Sequence, residues 1–146
     1  MIKQVRRFKE LGEKLFNLRI YRNLPHGSDV FYDIRKYFPD YRMETIFDVG
    51  ANIGQAALLL AKAFPKSQIS SFEPVSNTFK QLEQRVQNYK NISCFPFALG
   101  GQKSSQQIFL YPLSVENSLI EQQNQNFLGT ETVEINTLGT VANPKQ

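Results

Sequence analysis

The segment 48–54 carries the residues best suited to hold a ligand. It reads Asp-Val-Gly-Ala-Asn-Ile-Gly and follows a β-rich run. Gly50 lets the chain turn sharply after a strand, and Gly54 lets a ligand approach the backbone at the start of a helix. Asn52 stands where a dinucleotide-binding fingerprint has its middle glycine, and asparagine enters left-handed backbone conformations more readily than most residues. The spacing predicts a ligand-binding turn of the nucleotide type.

The charge at this turn argues against a phosphate ligand. Asp48 lies just ahead of the glycines, and its carboxylate would repel a pyrophosphate but attract a cationic amino acid group. S-adenosylmethionine carries positive charge at its amino group and at its sulfonium. A nicotinamide-dependent oxidoreductase is disfavoured, because the full G-x-G-x-x-G pattern is absent. The alternative is that Asp48 only satisfies backbone N–H groups of the turn.

Glu73 is the second acidic candidate. It ends the next β-rich run, nineteen positions after Gly54, close to the offset of about 20 residues at which an acidic side chain accepts hydrogen bonds from ribose hydroxyls. The alternative is an exposed carboxylate at a helix N-terminus, stabilised by the helix dipole by about 0.3–1 kcal/mol. Its combination with Asp48, Gly50 and Gly54 favours the ribose interpretation.

Hydrophobic periodicity predicts the elements that position these residues. The signals alternate between strand and helix: strand 45–49, a helix from Ile53 to Phe64 ended by Pro65, strand 68–73, a helix over 75–89 and strand 92–99. This order predicts an α/β fold with a parallel sheet and right-handed crossovers, one half of a Rossmann-like domain. Further on, 107–111 and 132–137 are candidate strands that could pair, separated by an expected loop through 121–126.

The first 44 residues form a separate predicted region, a helical N-terminal cap before a partial Rossmann-like domain at 45–146. Residues 1–22 contain seven basic and two acidic residues with apolar residues at helical spacing, which predicts a basic amphipathic helix. Such a helix could lie on an anionic membrane or contact nucleic acid phosphates. A solvated outer helix face is the favoured interpretation, because no nucleic-acid recognition motif accompanies the charge.

Composition excludes several classes of site. The 146 residues include one cysteine, Cys94, and one histidine, His26, too few for a structural zinc site or a Ser-His or Cys-His hydrolase centre. Cys94 lies inside a predicted strand and is expected to be a core residue. No apolar run reaches the roughly 18 residues of a membrane span, and no secretory signal is evident. We therefore expect a cytoplasmic protein with no metal site.

Three segments together resemble a known family. Thr45-Ile-Phe-Asp-Val-Gly-Ala-Asn-Ile-Gly-Gln55, Phe72-Glu73-Pro74 and Phe97-Ala98-Leu99-Gly100 are similar to motifs of the FkbM family of S-adenosylmethionine-dependent methyltransferases. The resemblance implies a class I methyltransferase sheet in which the turn residues line the methionine and ribose parts of the cofactor. It places Glu73 at the ribose hydroxyls and Ala98 beside the adenine. The turn residues concerned are Asp48, Gly50, Asn52 and Gly54.

The resemblance also implies a reaction and a departure. Family members transfer the methyl group to an oxygen of a sugar, a lipid-linked glycan or a small metabolite, and they continue past the Thr137-Leu138 pair into further strands. Here Leu138 is followed by eight residues, so a shortened member lacking the C-terminal strands is expected. A central strand left as an edge is expected to favour homo-oligomers. A non-catalytic remnant or cofactor-binding module stays as the alternative, and no catalytic base is assigned.

Overall fold

The computed structural model describes Pro25, residues 27–120, Gln122 and residues 126–139. Two compact units divide between Tyr41 and Arg42. The amphipathic helix expected in residues 1–22 and His26 lie outside the described residues.

The first unit contains helix α1, Val30–Tyr37. Its first turn is capped by Asp29, whose Oδ1 accepts hydrogen bonds from the amides of Phe31 and Tyr32, each at 2.9 Å. An aspartate at this position satisfies amides that have no partner inside the helix, which fixes where the helix begins.

The second unit begins with a three-stranded parallel sheet in the order β1-β2-β3. Its strands and the two helices that connect them are β1 (Thr45–Val49), α2 (Gln55–Ala63), β2 (Gln68–Phe72), α3 (Ser76–Val86) and β3 (Ile92–Phe95). The alternation of strands and helices and their parallel pairing confirm the predicted α/β, Rossmann-like arrangement.

Helix α2 ends where its sequence predicts. Residues 55–63 are rich in alanine and leucine, which have high helix propensity. The Phe64 amide donates to the Leu60 carbonyl at 2.8 Å, and Pro65 follows, a residue that cannot continue the hydrogen-bond ladder.

Both helices cover one face of this sheet. Ala57 of α2 packs with Leu82 and Val86 of α3 in one buried cluster, with Ile92 and Cys94 of β3 against it. Two right-handed crossovers that advance in the same direction place their helices on the same side. The core of the unit therefore lies between α2, α3 and this face.

The opposite face carries aromatic side chains. The Phe72 ring lies 5.0 Å from Phe95, 5.7 Å from Phe97 and 6.3 Å from Phe47, measured between centroids. Phe72 is fully buried, whereas Phe47 is 44% exposed.

The second sheet has the order β4-β6-β5. Its elements are β4 (Ala98–Leu99), β5 (Ser104–Leu110), a 3-10 helix (Ser114–Glu116) and β6 (Gly129–Asn136). Strands β5 and β6 pair antiparallel, residues 104–110 with residues 129–135. The sequence leaves the pairing of its candidate strands 107–111 and 132–137 open. Its apolar side packs on Val75, just ahead of α3.

The prediction of one continuous strand over 92–99 is wrong. The chain breaks after β3 at Pro96 and Phe97, and Ala98 and Leu99 pair in parallel with Ile135 and Asn136 of β6. Proline is uncommon inside strands and is found at their ends, at bulges and on edges, so Pro96 marks the point where the chain leaves the first sheet.

Candidate functional site

The turn between β1 and α2 is built from three left-handed residues. Gly50 has φ 76°, Asn52 φ 50° and Gly54 φ 88°, so the left-handed conformation predicted as tolerable for Asn52 is confirmed. The amides of Gly50 and Ala51 both donate to the Phe72 carbonyl, at 3.0 and 2.9 Å. The turn is thereby fastened to the carboxyl end of β2.

Gly54 allows close packing between two helices, and its predicted part in the approach of a ligand stays a prediction. A Cβ atom built there would lie 2.9 Å from Leu82 Cδ1 and 3.3 Å from Val86 Cγ1, so glycine lets α2 start directly against α3. At Gly50 a Cβ atom would meet nothing within 4 Å. That position requires glycine for its backbone angle alone.

Glu73 joins the turn to the start of α3. Its Oε2 accepts a hydrogen bond from the Asn52 amide and its Oε1 one from the Val75 amide, each at 3.0 Å. Only 6% of the residue is exposed, so the alternative of an exposed helix-terminal carboxylate is wrong. Each oxygen keeps a lone pair with which it can accept a hydrogen bond from a hydroxyl group.

Burial dominates the titration of Glu73. Loss of hydration raises the pKa of this carboxyl, the two amide hydrogen bonds oppose the rise, and the nearby Glu131 carboxylate adds to it.

Asp48 lies in β1 beside β2, directly before the turn. It is 9% exposed, and its Oδ2 accepts a long hydrogen bond of 3.3 Å from Ser71 Oγ. Burial raises the pKa of Asp48 and the Ser71 hydroxyl opposes the rise. Among the described residues, no basic side chain contributes to the pKa of Asp48. A cationic ligand group would stabilise the charged carboxylate.

Three polar residues of the site carry no local sequence signal. Ser71 contacts Asp48 across neighbouring strands, and Ser114 Oγ donates to Asn52 Oδ1 at 2.9 Å. Glu131 Oε1 accepts from the Ser76 amide at 3.0 Å and from its hydroxyl. Each contact joins residues far apart in sequence, so only the folded chain reveals them.

Ala98 lies apart from this hydrogen-bond network. It is half-buried in β4 and pairs with Ile135 of the second sheet. Ala98 follows the carboxyl end of β3. Glu73 lies at the same end of the first sheet, where its amide donates to the Phe95 carbonyl of β3 at 3.1 Å. The place of Ala98 beside an adenine stays a prediction.

The described residues hold no cluster of three or more metal-ligating side chains. Cys94 is half-buried, and its thiol pKa is raised first by burial and then by the carboxylates of Glu83 and Asp48. A thiol that holds its proton is a poor nucleophile. Across the described ranges no helix is both long and apolar enough to cross a membrane.

Comparison with known proteins finds sequence similarity to a methyltransferase. No protein-family model matches the chain. Over 94 residues, 63% of this chain, it is 31% identical to Methyltransferase 1 of Beauveria bassiana (strain ARSEF 2860) and covers 36% of that protein. The chain thus spans about a third of the length of this curated relative. The similarity supports a methyltransferase relationship.

Solved methyltransferase structures are similar over parts of the chain. P. horikoshii TYW2 in complex with MeSAdo has a TM-score of 0.35 and 21% identity, over 53% of this chain and 30% of that chain. The precorrin-6y C5,15-methyltransferase from Geobacter metallireducens has a TM-score of 0.37 and 7% identity, over 82% and 92%. TM-scores this low assign no activity to the chain.

Proposed function

We propose that the described second unit binds S-adenosylmethionine and belongs to a methyltransferase of the FkbM type. The observation that carries the proposal is the pair of buried carboxylates at the ends of neighbouring parallel strands, on either side of a left-handed turn. Asp48 lacks a basic partner among the described residues, and Glu73 holds the Asn52 amide of the turn. Ligands of open α/β sheets bind at the carboxyl ends of the strands.

The donor groups of the site fit this cofactor. Asp48 supplies a negative charge in a buried setting, which matches the ammonium group of a methionine moiety. Glu73 presents two oxygens, each with one lone pair still free, which matches the two hydroxyls of a ribose. When bound, the cofactor supplies a methyl group on a positively charged sulfur.

The acceptor proposed from the family resemblance is an oxygen of a sugar or small metabolite. The chain contributes mainly alignment, which by itself accelerates reactions between bound groups strongly. No described residue is assigned as a general base.

Calorimetric titration with S-adenosylhomocysteine, with NAD as the control ligand, tests the proposal. Saturable binding of S-adenosylhomocysteine without binding of NAD is expected. Glu73→Ala should weaken that binding by about 1.5–3 kcal/mol, since it removes hydrogen bonds to a charged group.

The matched control is Glu134→Gln, which alters an exposed carboxylate on β6 and should leave the affinity unchanged. Because Glu73 also holds two amides, the variant's melting curve must show that it is folded under the conditions of titration. A folded Glu73→Ala protein with unchanged affinity would remove the ribose assignment.

The second candidate function is a non-catalytic, self-associating cofactor-binding module. The outer edge of β1 favours it, because β1 stands at the end of the sheet order with no described strand beyond it. Methyl transfer in an acceptor screen would separate the two candidates.

A further inference from the structure

A groove of about 430 Å³ adjoins the proposed cofactor turn. It lies between the first turns of α3 and the segment that runs from the end of β5 through the 3-10 helix to β6. Its volume falls in the range of small-molecule sites, about 300–1,000 Å³. The polar side chains used below belong to Asn77, Gln81, Ser114, Asn117 and Glu131.

We propose that this groove binds the methyl acceptor and selects an uncharged, hydroxyl-rich molecule over its phosphorylated counterpart. The inference rests on the proposed function, because it takes the neighbouring turn as the place of the methyl donor.

Two contacts join the groove to that turn. Ser114, which lines the groove, donates its hydroxyl to Asn52 Oδ1. Val75, which also lines it, donates its amide to Glu73 Oε1. A molecule in the groove is therefore separated by single residues from the turn and from the carboxylate assigned to ribose.

The polar lining suits hydroxyl groups. Asn117 Oδ1 already accepts a hydrogen bond from the Tyr111 amide, and Gln81 Nε2 already donates one to the Asn77 carbonyl. The remaining donors and acceptors of the Asn77, Gln81 and Asn117 side-chain amides can together pair with hydroxyls that act in either sense. Apolar side chains, including Val75 and Leu110, line the same groove and match the C–H faces of a sugar ring.

Charge provides the selectivity. Glu131 is the sole charged side chain among the described lining residues, and none of them is lysine or arginine. A phosphate in the groove would lose hydration without gaining a cation and would be repelled by the carboxylate.

Glu131 also has a free acceptor. Its Oε1 takes the Ser76 amide and hydroxyl, and within the described residues Oε2 has no hydrogen-bond partner. This oxygen can accept a hydrogen bond from a hydroxyl of the ligand. A phosphorylated ligand would bind beside the same carboxylate less favourably, because the two negative charges repel each other.

The test follows the side-chain amide NMR signals of Asn77, Gln81 and Asn117 during sugar titrations. The probes are glucose, mannose and galactose and disaccharides of each, beside the corresponding monophosphates. Saturating S-adenosylhomocysteine is present throughout, and its own binding is measured first by calorimetry. A neutral saccharide should shift all three signals saturably, with at least a tenfold preference over its monophosphate.

Glu131→Gln should narrow that preference, while Glu134→Gln, on the same strand, should not. The groove assignment is overturned if no saccharide shifts these signals, or if monophosphates bind equally well. It is also overturned if S-adenosylhomocysteine alone shifts all three signals and no saccharide shifts them further, since the groove would then belong to the cofactor. Absent cofactor binding would overturn the proposed function instead, and the two failures are therefore distinguishable.

Discussion

The two buried carboxylates, Asp48 and Glu73, differ in the hydrogen bonds that the protein donates to them. Glu73 is held by two backbone amides, so it stabilises the turn even without a ligand. Asp48 receives one long hydrogen bond from Ser71, and its burial is poorly compensated. A functional residue that is costly in the free protein is a common feature of binding sites.

Asp48→Asn should therefore stabilise the free protein at neutral pH. Because burial raises the pKa of Asp48 above its ordinary value of 3.8, the folded state binds more protons than the unfolded state from that pH up to the raised pKa. The free energy of unfolding contributed by Asp48 thus falls as pH rises through this range and stays low above it. Urea unfolding from pH 4 to pH 7 should show the variant's advantage growing with pH.

The same variant should bind S-adenosylhomocysteine about 10- to 100-fold more weakly, which corresponds to loss of a charge-assisted hydrogen bond. Glu134→Gln is again the control for removal of a carboxylate. An Asp48→Asn protein that is less stable than wild type at pH 7 would show that the carboxylate is satisfied in the fold.

At the scale of elements, the sequence predicts the three parallel strands and two helices because each has strong periodicity of its own. It misses the break at Pro96, since the apolar run on both sides looks continuous. It predicts Asp48, Asn52 and Glu73 as candidate site residues, yet it cannot predict the contact of Ser114 with Asn52. That contact depends on how the segment after β5 folds back over the turn.

Gly54→Ala tests how α2 is packed on α3. The added Cβ atom meets Leu82 Cδ1 at 2.9 Å and the backbone has φ 88°. Left-handed strain of about 1–2 kcal/mol and overpacking of about 1–3 kcal/mol together predict a loss of about 2–5 kcal/mol in the free energy of unfolding.

Gly50→Ala is the matched control, because it has positive φ but open space around the added atom. It should lose only the strain, about 1–2 kcal/mol. Equal losses for the two variants in urea unfolding would mean that the contact with α3 is not tight.

At the scale of the whole molecule, the outer edge of β1 has no described strand beside it. The Gln68 amide donates to the Glu44 carbonyl, and the Phe72 carbonyl accepts from the Gly50 amide, so even-numbered residues of β1 face β2. The N–H and C=O groups of the odd-numbered residues then point outward. Val49 is among them and is 60% exposed.

We expect two copies of the chain to associate through this edge, since an unpaired strand with apolar side chains readily pairs with the same strand of a second copy. Val49→Lys should shift the sedimentation equilibrium toward monomer. Leu59→Lys, on α2 and 54% exposed in the wild type, is the control and should leave association unchanged. A wild-type protein that is monomeric at every concentration would refute this expectation.

Cofactor binding at the turn is tested most directly by an NMR titration with S-adenosylhomocysteine that follows the backbone amides of Gly50, Asn52 and Val75. The first two belong to the turn, and the third donates to Glu73. We expect saturable shifts at all three amides, larger than anywhere on β5 and β6, and no shifts with NAD. Binding that leaves these amides unshifted, or no binding by the folded protein, would contradict this expectation.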